Sequence, residues 1–341
     1  MTRATMRQLA IVVLAAGKGM RMKSALPKVL HRAAGRSLLG HVLEAIKPLK
    51  PVRTAVVVGL GMEAVADEAR RHLAGVKIAL QQQQRGTADA VASAKAALAG
   101  FTGTVLVAYA DAPLIRPETV AALAEAVTAR TPMAVLGFRA ADPKGYGRLI
   151  RNAKGHITAI HEELDATPRE RRIDLCNSGL IAIDATLLWT LLPKIGNDNA
   201  KKEFYLTDLA GLATKARRQV ALVECPEAEL AGVNDRVQLA AVEAAFQNRY
   251  RRRFMLEGAT LAAPETVFFC ADTQIGKDVV IEPHVMFGPG VSIDNNVRIL
   301  AFSHIEGASI ADGARIGPFA RLRPGAEIGA DAHIGNFVEV K

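Results

Sequence analysis

The sequence has few of the residues that mark secreted, redox-active or zinc-binding proteins. Its 341 residues include only three cysteines, Cys176, Cys225 and Cys270, which lie far apart and form no C-x-x-C pair. Scattered cysteines in odd number indicate a reducing compartment and offer no disulfide framework or zinc site. The chain also lacks an apolar run of about 18 residues, the length that a membrane-spanning helix needs. We therefore expect a cytoplasmic protein that is not inserted into a membrane.

Aromatic residues are scarce as well, at 5% of the chain, whereas Lys and Arg number 43 against 34 Asp and Glu. The net charge of +9 suits nucleic acid, a membrane surface or a small anionic substrate. The densest basic segment, residues 249–253, has no recurring aromatics around it, although a nucleic-acid groove needs them for stacking. We interpret this segment as the solvated face of a helix and expect no nucleic-acid partner.

The chain up to about residue 230 alternates short apolar runs with alanine-rich helical patterns. The apolar runs cover 8–16, 54–59, 77–80 and 104–111, and the helical patterns cover 38–46, 62–72, 87–98 and 117–128. The first run resembles a signal peptide, but it continues directly into a glycine-rich loop, so we favour a buried first strand. The alternation predicts a Rossmann-like α/β domain over residues 1–233, with helices on both faces of a mainly parallel sheet.

The pattern changes after residue 233. Apolar residues first recur at helical spacing, which predicts a linking arm helix over 234–258. They then recur every six positions, with a single five-residue step, at Ile275, Ile281, Phe287, Ile293, Ile299, Ile305, Ile310, Ile316, Leu322, Ile328, Ile334 and Val340. Such a repeat is typical of a parallel β-helix, and unrelated strands of a sandwich are the alternative. We predict an incomplete hexapeptide β-helix over 259–341.

The first apolar run leads into a loop with the composition of a phosphate site. Gly17 and Gly19 permit a tight turn and let backbone N–H groups approach phosphate oxygens. Arg21 and Lys28 add positive charge. The spacing fits neither the Walker pattern nor G-x-G-x-x-G. We interpret residues 14–28 as a phosphate-binding loop.

A carboxylate ends another of the predicted strands. Asp111 closes the run that begins at Thr104, which places it at the carboxyl edge of the sheet, where ligands of such sheets bind. Mg²⁺ prefers one or two carboxylates together with phosphate and water. Asp111 is therefore a candidate magnesium ligand, and a cap of the turn before Pro113 is the alternative.

Several motifs, taken in order, resemble a known family. They are LAAGKGMRM at 14–22, Pro27-Lys28, Gln81, Gly86-Thr87, YAD at 109–111, GYGR at 145–148 and NSG at 177–179. With the hexapeptide repeats behind them, the chain resembles the bifunctional N-acetylglucosamine-1-phosphate uridylyltransferases and glucosamine-1-phosphate acetyltransferases of bacterial envelope synthesis. The resemblance runs from about residue 9 to the last residue. It implies Mg²⁺-dependent transfer of UMP from UTP to N-acetylglucosamine 1-phosphate and a homotrimer built through a left-handed β-helix.

The resemblance also implies roles for individual residues. Arg21 and Lys28 would be catalytic, and Asp111 and Asn234 would hold Mg²⁺. The nucleotide and the sugar would contact Leu14, Ala15, Ala16, Gly17, Gly19, Lys28, Gln81, Gly86, Thr87, Tyr109, Ala110, Asp111, Gly145, Glu162, Asn177 and Asn234. Of these, Gln81, Gly86 and Thr87 would contact the uracil base, and Gly145, Glu162 and Asn177 would contact the N-acetylated sugar. Arg323 and Lys341 match a second sugar-phosphate site, that of the acetyltransferase. Because the catalytic His and the acetyl-coenzyme A residues of the family lie further along the chain, we expect no acetyl transfer from residues 1–341.

The chain departs from the family pattern in two places. Where the family usually has G-T-G-H-A and Y-G-D, this sequence has Gly86-Thr87-Ala88-Asp89-Ala90 and Tyr109-Ala110-Asp111. The methyl group of Ala110 adds volume beside the predicted ligand. Preference for another base or another sugar is therefore the alternative among enzymes.

The implied reaction needs no side-chain base. The second pKa of a phosphate monoester is about 6, so the sugar phosphate is largely ionised at neutral pH and its oxygen can attack the α-phosphate of UTP in line. The protein then acts by alignment and charge neutralisation. A noncatalytic regulatory or assembly subunit is the alternative from another class. The four charged or metal-binding positions Arg21, Lys28, Asp111 and Asn234 are all retained, which disfavours it.

Overall fold

The computed structural model describes residues 7–341, so residues 1–6 of the predicted first domain lie outside the description. The chain divides into two compact units. The first contains the residues up to 31 together with 38–236, and the second contains 32–37 together with 237–341. No sequence pattern indicated that the short segment 32–37 belongs with the second unit.

Strands and helices alternate along the chain up to residue 257, which includes β2, β3 and α7 of the second unit. The strands up to residue 224 are β1 (Leu9–Leu14), β2 (Arg32–Ala33), β3 (Arg36–Ser37), β4 (Arg53–Gly59), β5 (Lys77–Gln81), β6 (Thr104–Tyr109), β7 (Met133–Arg139), β8 (Arg148–Arg151), β9 (Ile157–His161), β10 (Leu175–Asp184) and β11 (Val220–Glu224). The helices are α1 (Leu38–Ile46), α2 (Glu63–His72), α3 (Thr87–Ser93), α4 (Pro117–Glu125), α5 (Ala185–Leu191), α6 (Asp208–Lys215) and α7 (Arg236–Glu257). The four predicted strands and four predicted helices all form, and α3 and α4 end earlier than expected.

Nine of these strands form one sheet in the order β5-β4-β1-β6-β10-β7-β11-β9-β8. β1 lies between β4 and β6 and is parallel to both. Its side chains alternate between two hydrophobic clusters, since Val12 packs into one and Val13 into the other, both fully buried. A strand covered on both faces needs an uninterrupted apolar sequence, which explains the run at the start of the chain.

The sheet is parallel over only part of its width. β10 pairs antiparallel with both β6 and β7, and its register against β7 shifts between Asn177 and Ile181. Such a shift re-aims side chains locally and is common beside functional sites. The NSG motif at 177–179 lies at this irregularity.

The second unit contains a parallel β-helix. Its strands are β12 (Thr260–Leu261), β13 (Gln274–Ile275), β14 (Val280–Ile281), β15 (Met286–Phe287), β16 (Ser292–Ile293), β17 (Arg298–Ile299), β18 (His304–Ile305), β19 (Ser309–Ile310), β20 (Arg315–Ile316), β21 (Arg321–Leu322), β22 (Glu327–Ile328), β23 (His333–Ile334) and β24 (Glu339–Val340). Each of the strands from β13 to β24 ends on an apolar residue of the predicted six-residue repeat. In one of three columns, Ile281, Ile299, Ile316 and Ile334 stack in register.

The end of α7 covers the start of this β-helix. Phe254 is buried, its ring centroid lies 4.7 Å from that of Phe269, and Phe269 stacks on Phe287 at 5.2 Å. In the basic segment, Arg251 is not simply solvated, because its guanidinium donates to the carbonyl oxygens of Val267 and Glu265. One of the five residues of that segment therefore fixes the first coil.

The three cysteines are free thiols. Burial raises the pKa of Cys176 and Cys270 to about 11 and that of Cys225 to about 12. None of the three is poised as a nucleophilic thiolate near neutral pH.

Candidate active site

A cavity of about 360 Å³ lies at the carboxyl ends of β1, β5 and β6. Ten of the predicted site residues line it, namely Leu14, Ala15, Ala16, Gly17, Lys28, Gln81, Gly86, Thr87, Tyr109 and Asp111. These residues come from segments that are distant in sequence, and the parallel order of the strands brings them to one edge of the sheet. The cavity is the candidate active site.

The loop after β1 is shaped by two glycines with different surroundings. A Cβ on Gly17 would meet no atom within 4 Å, so the space beside it is open. Gly19 has a φ of +61°, and a Cβ there would lie 2.5 Å from the Cβ of Lys28. Gly19 thus permits both the left-handed turn and the approach of Lys28 to the cavity.

The Lys28 ammonium joins the two predicted metal ligands. Its Nζ atom lies 2.6 Å from Asp111 Oδ2 and 3.1 Å from Asn234 Oδ1. The Lys28 side chain is only 11% exposed. Two oxygen atoms that lie 123 positions apart in the chain therefore converge on one positive charge beside the cavity.

The residues predicted to contact the base lie between β5 and α3. Gly86 has a φ of +126°, and a Cβ there would lie 2.5 Å from the carbonyl oxygen of Phe204. The neighbouring Thr87 hydroxyl accepts a hydrogen bond from the Leu206 amide at 2.9 Å. The segment around Phe204 therefore closes over the start of α3, and only glycine fits at position 86.

Of the residues predicted to contact the sugar, Asn177 has an oxygen atom without a hydrogen-bond partner in the described part of the chain, and Glu162 has a raised pKa. Asn177 is buried, and its Oδ1 atom has no hydrogen-bond partner among residues 7–341. The Glu162 carboxylate accepts from the Thr207 hydroxyl at 3.1 Å, and burial raises the pKa of Glu162 above its ordinary value of 4.5. Burial also raises the pKa of Tyr109. Gly145, the third sugar residue, is exposed.

Four other predicted residues do not line the cavity. Arg21 is exposed on the single turn Met20–Met22 and makes no ion pair within the part of the chain that the structure describes. Ala110 is fully buried in a hydrophobic cluster of the sheet, so its methyl group packs into the core. Arg323 and Lys341 belong to the second unit, where Arg323 Nε lies 2.5 Å from Glu339 Oε1.

Four residues that sequence reasoning did not identify also line the cavity: Val29, Gln84, Ala90 and Glu203. The Gln84 side chain donates to the carbonyl oxygen of Ala16. Glu203 precedes Phe204, whose amide donates to the Arg85 carbonyl and whose carbonyl accepts from Ala88. No local motif marks residue 203, because its place depends on this long-range backbone pairing.

Residues 7–341 contain no cluster of three or more His, Cys, Asp or Glu side chains suited to hold a metal ion. Over the same range, none of the helices is both long enough and apolar enough to cross a membrane.

Models of two known families match parts of the chain, one in each unit. The model of the MobA-like NTP transferase domain matches residues 11–174, and that of the bacterial transferase hexapeptide (six repeats) matches 272–307 and 307–341. The second match confirms the predicted hexapeptide β-helix, which in this family is left-handed.

Curated relatives match nearly the whole chain. The chain is 52% identical over 335 residues to "Bifunctional protein GlmU" of Azorhizobium caulinodans, a match that covers 98% of this chain and 75% of the relative. It is 55% identical over 308 residues to the protein of that name from Rhodospirillum rubrum, a match that covers 90% of this chain and 68% of that relative.

Solved structures agree in fold. The UDP-glucose pyrophosphorylase complexed with UDP-glucose superposes with a TM-score of 0.59 at 15% identity, over 71% of this chain and 99% of that chain. The inositol-1-phosphate CTP transferase from T. maritima superposes with a TM-score of 0.55 at 16% identity, over 72% of this chain and 96% of that chain. Given the extent and identity of the curated matches, the chain belongs to the bifunctional GlmU family and is a sugar-1-phosphate nucleotidyltransferase with UDP-N-acetylglucosamine pyrophosphorylase activity.

Proposed function

We propose that the first unit transfers UMP from UTP to N-acetylglucosamine 1-phosphate in a magnesium-dependent, in-line reaction. The convergence of Lys28, Asp111 and Asn234 beside the cavity is the observation that carries this proposal. A positive charge and two oxygen ligands at the edge of a nucleotide-sized cavity suit a triphosphate and its metal ion.

The residues at this point fit Mg²⁺. Asp111 Oδ2 and Asn234 Oδ1 already share one cation, the Lys28 ammonium, at 2.6 and 3.1 Å. Both are oxygen donors, and Mg²⁺ is usually held by one or two carboxylates with phosphate and water completing its shell. Asp111 and Asn234 would hold the ion, which would supply charge neutralisation on the phosphates when bound.

The protein's own groups align and neutralise the reactants. An oxygen of the sugar phosphate forms a bond to the α-phosphorus of UTP as the bond from that phosphorus to the bridging oxygen breaks. Pyrophosphate leaves with the electron pair, and no proton has to move. Lys28 opposes the negative charge on the phosphates, and the open space at Gly17 leaves its backbone accessible to them. Positioning and fixed charge are the main contributions expected in phosphoryl-type transfers.

The sugar site is suited to donor groups. The unpaired Asn177 Oδ1 and the Glu162 carboxylate are acceptors, whereas the acetamido N–H and the hydroxyls of the sugar are donors. A buried acceptor without a partner is costly, so a substrate that supplies a donor gains affinity over one that does not. This supports a sugar that presents N–H or O–H donors to Asn177 and Glu162, as N-acetylglucosamine does.

The raised pKa of Glu162 leads to a testable pH dependence. This pKa lies above 4.5. As the pH falls through it, the Glu162 carboxylate takes up a proton and can accept fewer hydrogen bonds. We expect the KM for the sugar phosphate to rise on this acid side, while the KM for UTP stays level. Glu162→Gln should raise the sugar KM by about tenfold at neutral pH and remove this part of the acid dependence.

The comparison with Glu162→Gln at each pH separates this effect from protonation of the sugar phosphate itself, which both proteins share. The exposed Glu118→Gln on α4 is the matched control and should keep the wild-type profile. If Glu162→Gln retained the wild-type rise in sugar KM at acid pH, the assigned role of Glu162 would be wrong.

Pyrophosphate release with each of four nucleoside triphosphates and several sugar 1-phosphates tests the proposed function. The expected product, identified by mass, is UDP-N-acetylglucosamine. A higher kcat/KM with another base or sugar would favour the alternative enzyme, and absence of pyrophosphate release with every pair would favour a noncatalytic subunit. The cytoplasmic location and the homotrimer stay predictions.

A further inference from the structure

The side chain of Asp89 lies behind the residue predicted to read the base. Asp89 is in the first turn of α3, where the resembled family usually has His, and its side chain is 15% exposed. Its Oδ2 atom accepts a hydrogen bond from Gln81 Nε2 at 2.9 Å. The carbonyl oxygen of Gly86 accepts from the same nitrogen at 3.2 Å.

These two contacts settle which end of the Gln81 amide faces the protein. A carboxylate and a backbone carbonyl are acceptors only, so the group between them must be the NH₂ of the amide. Gln81 is 4% exposed and lines the cavity. Its Oε1 atom receives no hydrogen bond from the described residues, and it is the part of the amide left for a ligand.

Arg85 fixes Asp89 from the other side. Its guanidinium donates to Asp89 Oδ1 from Nε at 3.2 Å and from a terminal nitrogen at 2.8 Å. The guanidinium also lies 5.6 Å from the ring centroid of Phe204. Oδ1 is thereby occupied by Arg85, and Oδ2 remains for Gln81.

We propose that Asp89 is a positioning residue that sets the base preference by holding Gln81 with Oε1 toward the base. This inference rests on the proposed uridylyl transfer. Uracil in a nucleotide has one N–H donor, at N3, which an Oε1 acceptor can receive. Cytosine has a lone pair at N3, which the same acceptor repels. Asp89 thus holds the Gln81 amide, which could otherwise adopt either orientation, in the orientation that accepts a hydrogen bond from N3 of uracil.

Asp89→Asn tests the inference, because an amide at position 89 can donate as well as accept. The flipped Gln81, with Nε2 toward the base, then becomes permitted, and it suits N3 of cytosine. We expect the ratio of kcat/KM for UTP to that for CTP to fall by about tenfold, with the KM for N-acetylglucosamine 1-phosphate unchanged. The ratio compares two substrates of one protein, so a general loss of folded enzyme does not alter it.

Two other variants complete the design. Arg85→Gln removes the ion pair but leaves Asp89 an acceptor, so its UTP to CTP ratio should stay within about threefold of wild type. Asp67→Asn, an exposed carboxylate paired with Arg70 on α2, is the matched control and should match wild type in activity and ratio. An unchanged ratio in Asp89→Asn overturns the inference. So does an equal fall in Arg85→Gln, which would assign the effect to the ion pair.

The same measurements separate this inference from the proposed function. A wild-type protein that uses CTP as well as UTP overturns the uridylyl preference itself, and the inference with it. A wild type that prefers UTP, together with an Asp89→Asn variant that keeps the preference, overturns only the role of Asp89.

Discussion

Asp111→Asn should lower turnover on the order of a thousandfold, while the KM for the sugar phosphate stays within about threefold of wild type. The substitution keeps an oxygen at the position that pairs with Lys28 and Asn234 but removes its negative charge. Charge stabilisation by a metal ion is worth several kcal/mol in the transition state, and each 1.36 kcal/mol is about a tenfold change in rate. Initial rates over a range of Mg²⁺ and sugar-phosphate concentrations measure both quantities.

The Mg²⁺ titration gives the decisive comparison. The concentration of Mg²⁺ at half-maximal rate should rise in Asp111→Asn, and saturating Mg²⁺ should not restore turnover. Asp67→Asn, which changes an exposed carboxylate of α2, should behave as wild type. Wild-type turnover of Asp111→Asn at saturating Mg²⁺ would contradict the assignment of Asp111 as a metal ligand.

Lys28→Ala should have an effect of similar size on kcat/KM for UTP, because it removes a fixed positive charge from beside the phosphates. Removing one preorganised donor of this kind from an active site typically costs about a hundred- to a thousandfold. The Lys28 Nζ atom also occupies the point shared by Asp111 and Asn234. Without nucleotide, Lys28→Ala should therefore bind Mn²⁺ more tightly, by about fivefold for the loss of one partly exposed ion pair.

The two measurements on Lys28→Ala move in opposite directions, which a misfolded variant would not reproduce. Mn²⁺ affinity can be followed by electron paramagnetic resonance on the nucleotide-free protein. Lys47→Ala, half-exposed and paired with Glu44 on the surface, should change neither quantity. Mn²⁺ binding that weakens in Lys28→Ala would show that the ammonium does not compete for the ligand oxygens.

The elements that are regular in sequence could be predicted closely. The apolar run of β1 is uninterrupted because Val12 and Val13 are covered on opposite faces, and each six-residue step ends a two-residue strand because its side chain points into the β-helix. The relevant signal in each case lies within a few residues, and burial imposes it directly.

The features that depend on distant contacts could not be predicted from these patterns. β10 is antiparallel to its neighbours, but a buried antiparallel strand has the same kind of apolar run in its sequence as a buried parallel strand. The place of Glu203 depends on backbone pairing with Arg85 more than a hundred positions earlier in the chain. Motif matching assigned Lys28 to phosphate, but only the folded chain shows its ammonium on Asp111 and Asn234.

The contrast between β1 and the loop that follows it has a consequence for the entropy of substrate binding. β1 is paired on both edges and buried on both faces, and Lys28 is held by two hydrogen bonds. Between them, Gly17 and Lys18 are exposed, and Met20 is 83% exposed. Fixing one backbone residue costs about 1–2 kcal/mol of conformational entropy. Any ordering of this stretch by a substrate therefore involves only a few residues between two fixed ends, which leaves more of the interaction free energy for affinity and catalysis.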